Sequence, residues 1–362
     1  MLPHVRSLDG LRGVAILLVM LLHFGLLDCG WIGVQIFFVL SGFLITRILY
    51  STRGLPPRRF FSGFYANRAL RILPLYFFYL ALVAIALAPS GDARFSRNWP
   101  FLLTFTVNFT RSWHDWAFFP IISHLWSLAV EEQFYLVWPV IVRMLDGVRM
   151  RIFAASIIGV IPLFRFFLGR MLDDGTRSAF AVGDTVYWHT LSQVDAFAAG
   201  GFVAIASLTG ANLRWLSSLF GPLAVLTVLV GIGNGYPLAG TRNLQHVWSY
   251  TLLNSTTAAG IAFLIGPSTR SGAGRVLEAF LSSRVLRAIG RVSYGMYVYY
   301  LCLILAFWKW LPATVGKLPR AILFLPYLLL VFAVAFVSFE LFESFFLKFK
   351  RRMERAPSGR PD

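Results

Sequence analysis

Residues 12–50, RGVAILLVMLLHFGLLDCGWIGVQIFFVLSGFLITRILY, decide the fold. Two apolar runs, 12–29 and 32–50, stand almost back to back with only Gly30 and Trp31 between them. A helix needs about 20 apolar residues to cross the hydrocarbon core of a bilayer, and each run has that length. The first is too well retained for a removable leader: no A-x-A site follows it, and His23 lies inside it. The pair therefore reads as two membrane helices joined by a tight turn.

The rest of the chain repeats the pattern. Of its 362 residues 57% are hydrophobic and 14% charged, and the mean hydropathy is +0.69. Soluble domains are nearer 45–50% apolar and about 25% charged. Such a composition excludes a disordered chain, a disulfide scaffold and an ordinary soluble enzyme. Ten segments are candidate spans: 12–29, 32–50, 69–88, 124–142, 152–169, 188–208, 214–233, 246–266, 292–311 and 320–346. The expected fold is all-α, one polytopic integral membrane bundle of about ten transmembrane helices over residues 1–349, followed by a polar cytoplasmic tail at 350–362. The loops read as short, except the basic 51–67 stretch and the 267–287 stretch. The two cysteines, Cys29 and Cys302, read as small core residues rather than a bridge.

A net charge of +17 raises the question of nucleic acid, but 29 of the 33 basic residues are arginines and most sit between the apolar runs. There they act on topology. With the N-terminus in the cytoplasm, 23 basic residues fall inside and 10 outside, so both termini are expected to be cytoplasmic. Residues 99–110 are apolar but too short to span; counting them would invert every later segment, so they read as interfacial or re-entrant.

Four groups of residues could carry chemistry. Eleven helical steps from Arg12 to His23 turn the chain about 20° past three full turns, so both lie on one face about 16 Å apart along the axis. A histidine inside a span is costly and points to function, against the plain alternative of a core histidine bonded to a neighbouring helix. The second group is His124-Leu-Trp126-Ser127-Leu-Ala-Val-Glu131-Glu132-Gln133-Phe-Tyr135, in which Ser127, Glu131 and Tyr135 recur every four residues and share a face. Two adjacent carboxylates at about 2.5–3.5 kcal/mol each at the bilayer centre must line a polar cavity or meet a cation, and a structural ion pair is the plain alternative. The third is Arg68 and Arg71, three apart at the start of the third span, where guanidinium forks can grip phosphates or simply set topology. The fourth, Gly33-Val-Gln35 through Ser41-Gly42-Phe43, reads first as a site of close helix approach. Asp195, inside a span, implies a partner, while His114, His189 and His246 fall near the outer interface and need no special role. No H-x-x-x-H, CxxC or GxxxxGK pattern is present, so neither a metal nor a P-loop is expected.

Taken in order, SLDGLRGVAILLVMLLHFG (7–25), GVQIFFVLSGFLIT (33–46), FYANRALRILPLYF (64–77) and HLWSLAVEEQFYLVWP (124–139) resemble the membrane-bound acyltransferase-3 family, the bacterial O-acetyltransferases of surface glycans, nodulation factors and macrolides. The resemblance runs from residue 7 to about 345. It implies a multi-pass enzyme of the bacterial inner (cytoplasmic) membrane that takes an acyl group, usually acetyl, from cytoplasmic acyl-CoA and delivers it to a hydroxyl of a carbohydrate or glycan, with no bound cofactor. It also places function on Arg12 and His23, on Arg68 and Arg71, and on Glu131. One motif departs: the family's late segment often reads Ser-Tyr-x-x-Tyr-Leu-x-His, and here Tyr300 stands at the histidine position of Ser293-Tyr294-Gly-Met-Tyr297-Val-Tyr-Tyr300. Many relatives carry a further C-terminal hydrolase-like domain, which is not expected here.

The residues and the resemblance together give a site. His23, Glu131 and Arg12 are the expected catalytic residues, with His23 as general base or acyl carrier and Glu131 orienting or charging it. Arg68, Arg71 and Arg12 are expected to bind acetyl-CoA, and Trp126, Ser127, Glu132 and Tyr135 the acceptor. The expected partners are acyl-CoA, the glycan acceptor and membrane lipids, with no nucleic acid. The rival class is a glycolipid or glycan flippase using intramembrane His and Glu as a proton relay.

Overall fold

Each of the ten apolar segments contains an α-helix. The structure of the protein, a computed structural model, describes residues 5–88, 93–112, 120–211, 213–234, 236, 245–266, 272–312 and 314–348. In chain order the helices are α1 (Arg6–His23), α2 (Ile32–Thr52), α3 (Pro57–Leu87), α4 (Ala93–Leu103), α5 (Pro120–Ser123), α6 (Leu125–Met144), α7 (Gly147–Leu172) and α8 (Ala179–Trp188). They continue with α9 (Val194–Leu208), α10 (Leu213–Asn234), α11 (Gln245–Ile265), α12 (Gly272–Leu281), α13 (Arg284–Arg291), α14 (Ser293–Trp310) and α15 (Arg320–Ser338). Among the described residues there is no strand. The tail at 350–362 and His114 lie outside them.

Among the described residues, six helical stretches are long and apolar enough to cross a membrane: Asp28–Thr52, Pro57–Leu87, Gly147–Leu172, Thr190–Leu208, Leu213–Gly233 and Arg320–Lys348. The count is seven if α13 and α14 are one broken span. By length and composition the chain is a multi-pass helical membrane protein. Burial separates two kinds of span. The segments containing α2 and α9 are mostly buried, whereas α7, α10 and α15 are as apolar but mostly exposed. A helix apolar all round belongs in a core, and apolar helices left exposed belong against lipid.

The contacts divide the chain into two units, Met1–Arg53 with Arg97–Arg291, and Gly54–Ser96 with Val292–Asp362. In the first, α2 packs most extensively on α9, and α1 on α13. The expected close approach at Ser41-Gly42 is present. A methyl on Gly42 would run into the Phe197 carbonyl, and one on Gly200 into the Val39 carbonyl, so the two backbones touch where neither residue has a side chain. In the second unit α14 packs on α15 and α3. There the Tyr294 hydroxyl donates to the Ile72 carbonyl (2.7 Å) and the Tyr327 hydroxyl to the Tyr300 carbonyl (2.9 Å).

Several expected boundaries move. The first helix begins at Arg6 and stops at His23 instead of running to residue 29. Gly25 has φ +76°, the Gly25 amide donates to Leu22 and the Leu26 amide to Leu21, the pairing of a Schellman stop. A 3₁₀ turn, Asp28–Trp31, then leads into α2. The basic stretch read as a loop is helical from Pro57, because proline at a first helical position has its φ preset and arginine is a good helix former. The 267–287 stretch likewise holds α12 and the start of α13.

Segment 99–110 is no through helix. α4 ends at Leu103, Phe105 reverses the chain at φ +53°, and a 3₁₀ turn covers Val107–Ser112. Gln133 on α6 holds this reversal: its Nε2 donates to the Phe105 carbonyl (2.6 Å) and to Asn108 Oδ1 (2.9 Å).

Candidate active site

The first unit holds His23, Arg12 and the α6 cluster. His23 is the last helical residue of α1 and is exposed. Its Nδ1 lies 2.9 Å from the Val19 carbonyl oxygen. A carbonyl only accepts, so Nδ1 carries the proton, and in a neutral imidazole Nε2 then carries the lone pair. Orientation of the ring from the Nδ1 side thus comes from the backbone of α1 and not from Glu131. Arg12 sits half-buried on the same helix, with α1 crossing α13 at Gly13 and Gly290, where a methyl on either glycine would meet the partner's backbone.

On α6, Glu131 is half-buried and Tyr135 buried. The Tyr135 hydroxyl and the Ser41 hydroxyl of α2 both donate to Glu131 Oε1, and the two hydroxyl oxygens are 3.2 Å apart. The four-residue spacing of Glu131 and Tyr135 thus brings them together. Ser127 shares that spacing but is buried, and its hydroxyl donates back to the His124 carbonyl (3.2 Å). Glu132 is half-buried. Trp126 is buried in an aromatic cluster, stacked on Trp188 with centroids 5.6 Å apart and edge-on to Phe38 at 6.0 Å.

Asp195 has the partner its position implied. Arg165 on α7 and Asp195 on α9 form an ion pair in which both side chains are fully buried. Every branch of the guanidinium is used. Nε (2.8 Å) and Nη2 (2.5 Å) donate to the Ser192 carbonyl, and Nη1 donates to Thr251 Oγ1 (2.8 Å). Thr251 in turn donates to the other Asp195 oxygen at 2.7 Å. Sequence reasoning missed Arg165, although a cation inside an apolar run was a signal; it named Ser41 and Gln133 within their motifs but not the partners they take up.

The second unit holds the expected phosphate-binding arginines. Both lie inside α3, beyond its first turns. Arg68 is half-buried with its guanidinium 5.9 Å from the Phe64 ring centroid, and Arg71 is exposed. The charge of Arg71 also acts on Glu343, the last residue of the π-turn Phe339–Glu343 that follows α15. Tyr300, which departs from the histidine that the resemblance led one to expect, is fully buried in α14. Cys29 and Cys302 are free and half-buried. Among the described residues no group of three or more His, Cys, Asp or Glu could hold a metal ion.

The family model described as an acyltransferase domain matches residues 5–340. The chain belongs to this acyltransferase family. The chain is 26% identical over 324 residues to the O-acetyltransferase OatA of Staphylococcus aureus, covering 82% of this chain and 50% of the relative. To the peptidoglycan O-acetyltransferase OatA of Listeria monocytogenes it is 27% identical over 366 residues, covering 94% of this chain and 55% of the relative. The chain therefore spans about half the length of these curated relatives. No solved structure matches it.

Proposed function

We propose that the protein is a membrane O-acetyltransferase. In this reading it takes acetyl from acetyl-CoA on the cytoplasmic side of a bacterial inner membrane and transfers it to a glycan hydroxyl on the far side. The family match supports acyl transfer, the names of the Staphylococcus and Listeria relatives favour O-acetylation, and that of the Listeria relative favours peptidoglycan as the acceptor class. Ten spans, α1, α2, α3, α6, α7, α9, α10, α11, α14 and α15, with both termini cytoplasmic, are part of the proposal. Its support is the 23-to-10 split of basic residues. Of the four spans beyond the six long, apolar stretches (α1, α6, α11 and α14), α1 carries Arg12 and His23 and α6 carries Glu131 and Glu132, polar side chains of the kind a site inside a membrane requires.

The observation that carries the reaction is the His23–Val19 hydrogen bond. It commits Nδ1 as donor and leaves basicity on Nε2. His23 takes the acceptor hydroxyl's proton at Nε2 while that oxygen bonds to the thioester carbonyl carbon. The carbon–sulfur bond breaks, and His23 returns the proton to the departing sulfur. The positive charge on the ring forms at the C-terminus of α1, where the helix dipole favours cations. Glu131, held by the Ser41 and Tyr135 hydroxyls, is assigned to stabilise the same state. Arg68 and Arg71 are assigned to the donor's phosphates; exposure of Arg71 and the shared α3 face of the pair suit a phosphate ligand. Trp126, Ser127, Glu132 and Tyr135 are assigned to the acceptor's side.

The test uses the full chain in nanodiscs with acetyl-labelled acetyl-CoA and soluble peptidoglycan fragments. Base-labile label on the glycan is the expected result. A wild-type chain that leaves the glycan unlabelled, while a membrane preparation from cells expressing it moves glycolipid between leaflets, would favour the flippase.

A further inference from the structure

We propose that Ser41 is a positioning residue for acyl transfer: with Tyr135 it clamps one oxygen of the Glu131 carboxylate and thereby sets where the other oxygen points. The inference rests on the reading above, in which Glu131 serves the reaction. Both hydroxyls converge on Oε1 from different helices, Ser41 from α2 and Tyr135 from α6, and the hydroxyl oxygens are themselves 3.2 Å apart. Oε2 takes neither of these two donors, and on the reading above it is the oxygen that serves the reacting groups.

Three facts favour positioning over plain stability. A glutamate has long, rotamer-rich reach, and one hydrogen bond from Tyr135, four residues on in the same helix, fixes it only relative to α6. The bond from Ser41 fixes it relative to α2 as well. α2 is in turn seated closely on α9, since a methyl on Gly42, the next residue, would strike the Phe197 carbonyl of α9. Ser41 and Glu131 are also both only half-buried, so losing the bond exposes no deeply desolvated group. The Ser-Gly pair thus has two tasks: the glycine lets α2 and α9 touch, and the serine uses the resulting fixed backbone as an anchor.

The experiment measures kcat and KM on the full chain in nanodiscs, with acetyl-CoA and soluble peptidoglycan fragments as probes, and melting temperature alongside. Ser41→Ala is expected to lower kcat about tenfold to a hundredfold, the scale of a small misplacement of a reacting group, with KM for acetyl-CoA unchanged. Ser41→Thr, which keeps the hydroxyl, restores most of the rate. Glu131→Gln and Ser41→Ala together cost no more than Glu131→Gln alone, because the clamp acts only through that carboxylate. If Ser41→Ala melts early, Tyr135→Phe removes the other hydroxyl on Oε1 and is expected to give the same kcat-only loss. Wild-type kcat in both variants, or losses that add fully to that of Glu131→Gln, overturns the clamp alone. Wild-type kcat in Glu131→Gln overturns the reading of Glu131 itself, and the clamp with it.

Discussion

His23 donates from Nδ1 to the carbonyl of Val19, four residues back in its own helix, at 2.9 Å. One turn of α1 therefore fixes both the tautomer and the ring orientation. It does so at the residue where the helix stops. Histidines usually obtain this service from a carboxylate or a distant carbonyl. Here Val19 supplies it locally, while the Schellman turn around Gly25 ends the helix at His23, where the ring is exposed.

From this follows the first prediction. His23→Ala and His23→Gln should each lower kcat for acetyl transfer about 10²–10⁴-fold, the usual yield of a positioned general base. Affinity for acetyl-CoA should hold, since a base acts in the transition state and not on the bound donor. Isothermal titration with acetyl-CoA beside steady-state rates separates the two. A variant that keeps its rate within a few-fold would remove His23 from the chemistry.

Arg71→Ala should weaken acetyl-CoA binding about tenfold to a hundredfold, the scale of one lost charge-assisted hydrogen-bonded pair. Arg71→Lys should recover only part of it, because a single ammonium cannot reproduce the guanidinium fork. Arg71 is exposed, but its charge also acts on Glu343. Melting temperature is therefore measured beside affinity. A fall in stability with affinity unchanged would make Arg71 a partner of Glu343 and not a phosphate ligand.

How much of this could be read from the sequence depended on separation along the chain. Glu131 and Tyr135 were legible, because a four-residue period puts them on one face and the pair lies in one helix. The same period misleads for Ser127, whose short side chain finds the His124 carbonyl of its own helix first. Asp195 was legible as an acid needing a partner. Its partner Arg165 was not, since thirty residues of intervening chain set which helices meet and the arginine had already been counted as a topological charge. Ser41 was read for its size. Its hydrogen bond to a carboxylate ninety residues away depends on how α2 and α6 meet, which no local pattern carries. The helical start of α3 at Pro57 was hidden for another reason: a run of arginines reads as surface loop, although arginine is a good helix former.

The Arg165–Asp195 pair gives a stability prediction. Both side chains are fully buried, and breaking such a pair by removing one partner costs about 3–5 kcal/mol, because the other charge is left uncompensated. Arg165→Leu should therefore lower the melting temperature sharply. Arg165→Leu with Asp195→Leu should lower it less, since no buried charge remains. Two variants that melt together, single and double, would show that the packing of the arginine and not its charge holds α7 to α9.

The last prediction sets two glycines against each other. Gly42 lies where a methyl group would strike the Phe197 carbonyl, whereas Gly159 in α7 has no atom within 4 Å of where its methyl would stand. Gly42→Ala must push α2 from α9, and overpacking of this kind costs about 1–3 kcal/mol. Gly159→Ala should instead stabilise its helix by about 0.5–1 kcal/mol, the backbone entropy that glycine gives up on folding. The two substitutions add the same methyl to helices of one unit, so opposite shifts in melting temperature isolate the α2–α9 contact. Gly42→Ala also carries Ser41 away from Glu131, so its rate should fall even at temperatures where it remains folded, while Gly159→Ala keeps the wild-type rate. If Gly42→Ala melts and turns over as the wild type does, the backbones of α2 and α9 are not in contact, and the seat proposed for Ser41 is lost with that contact.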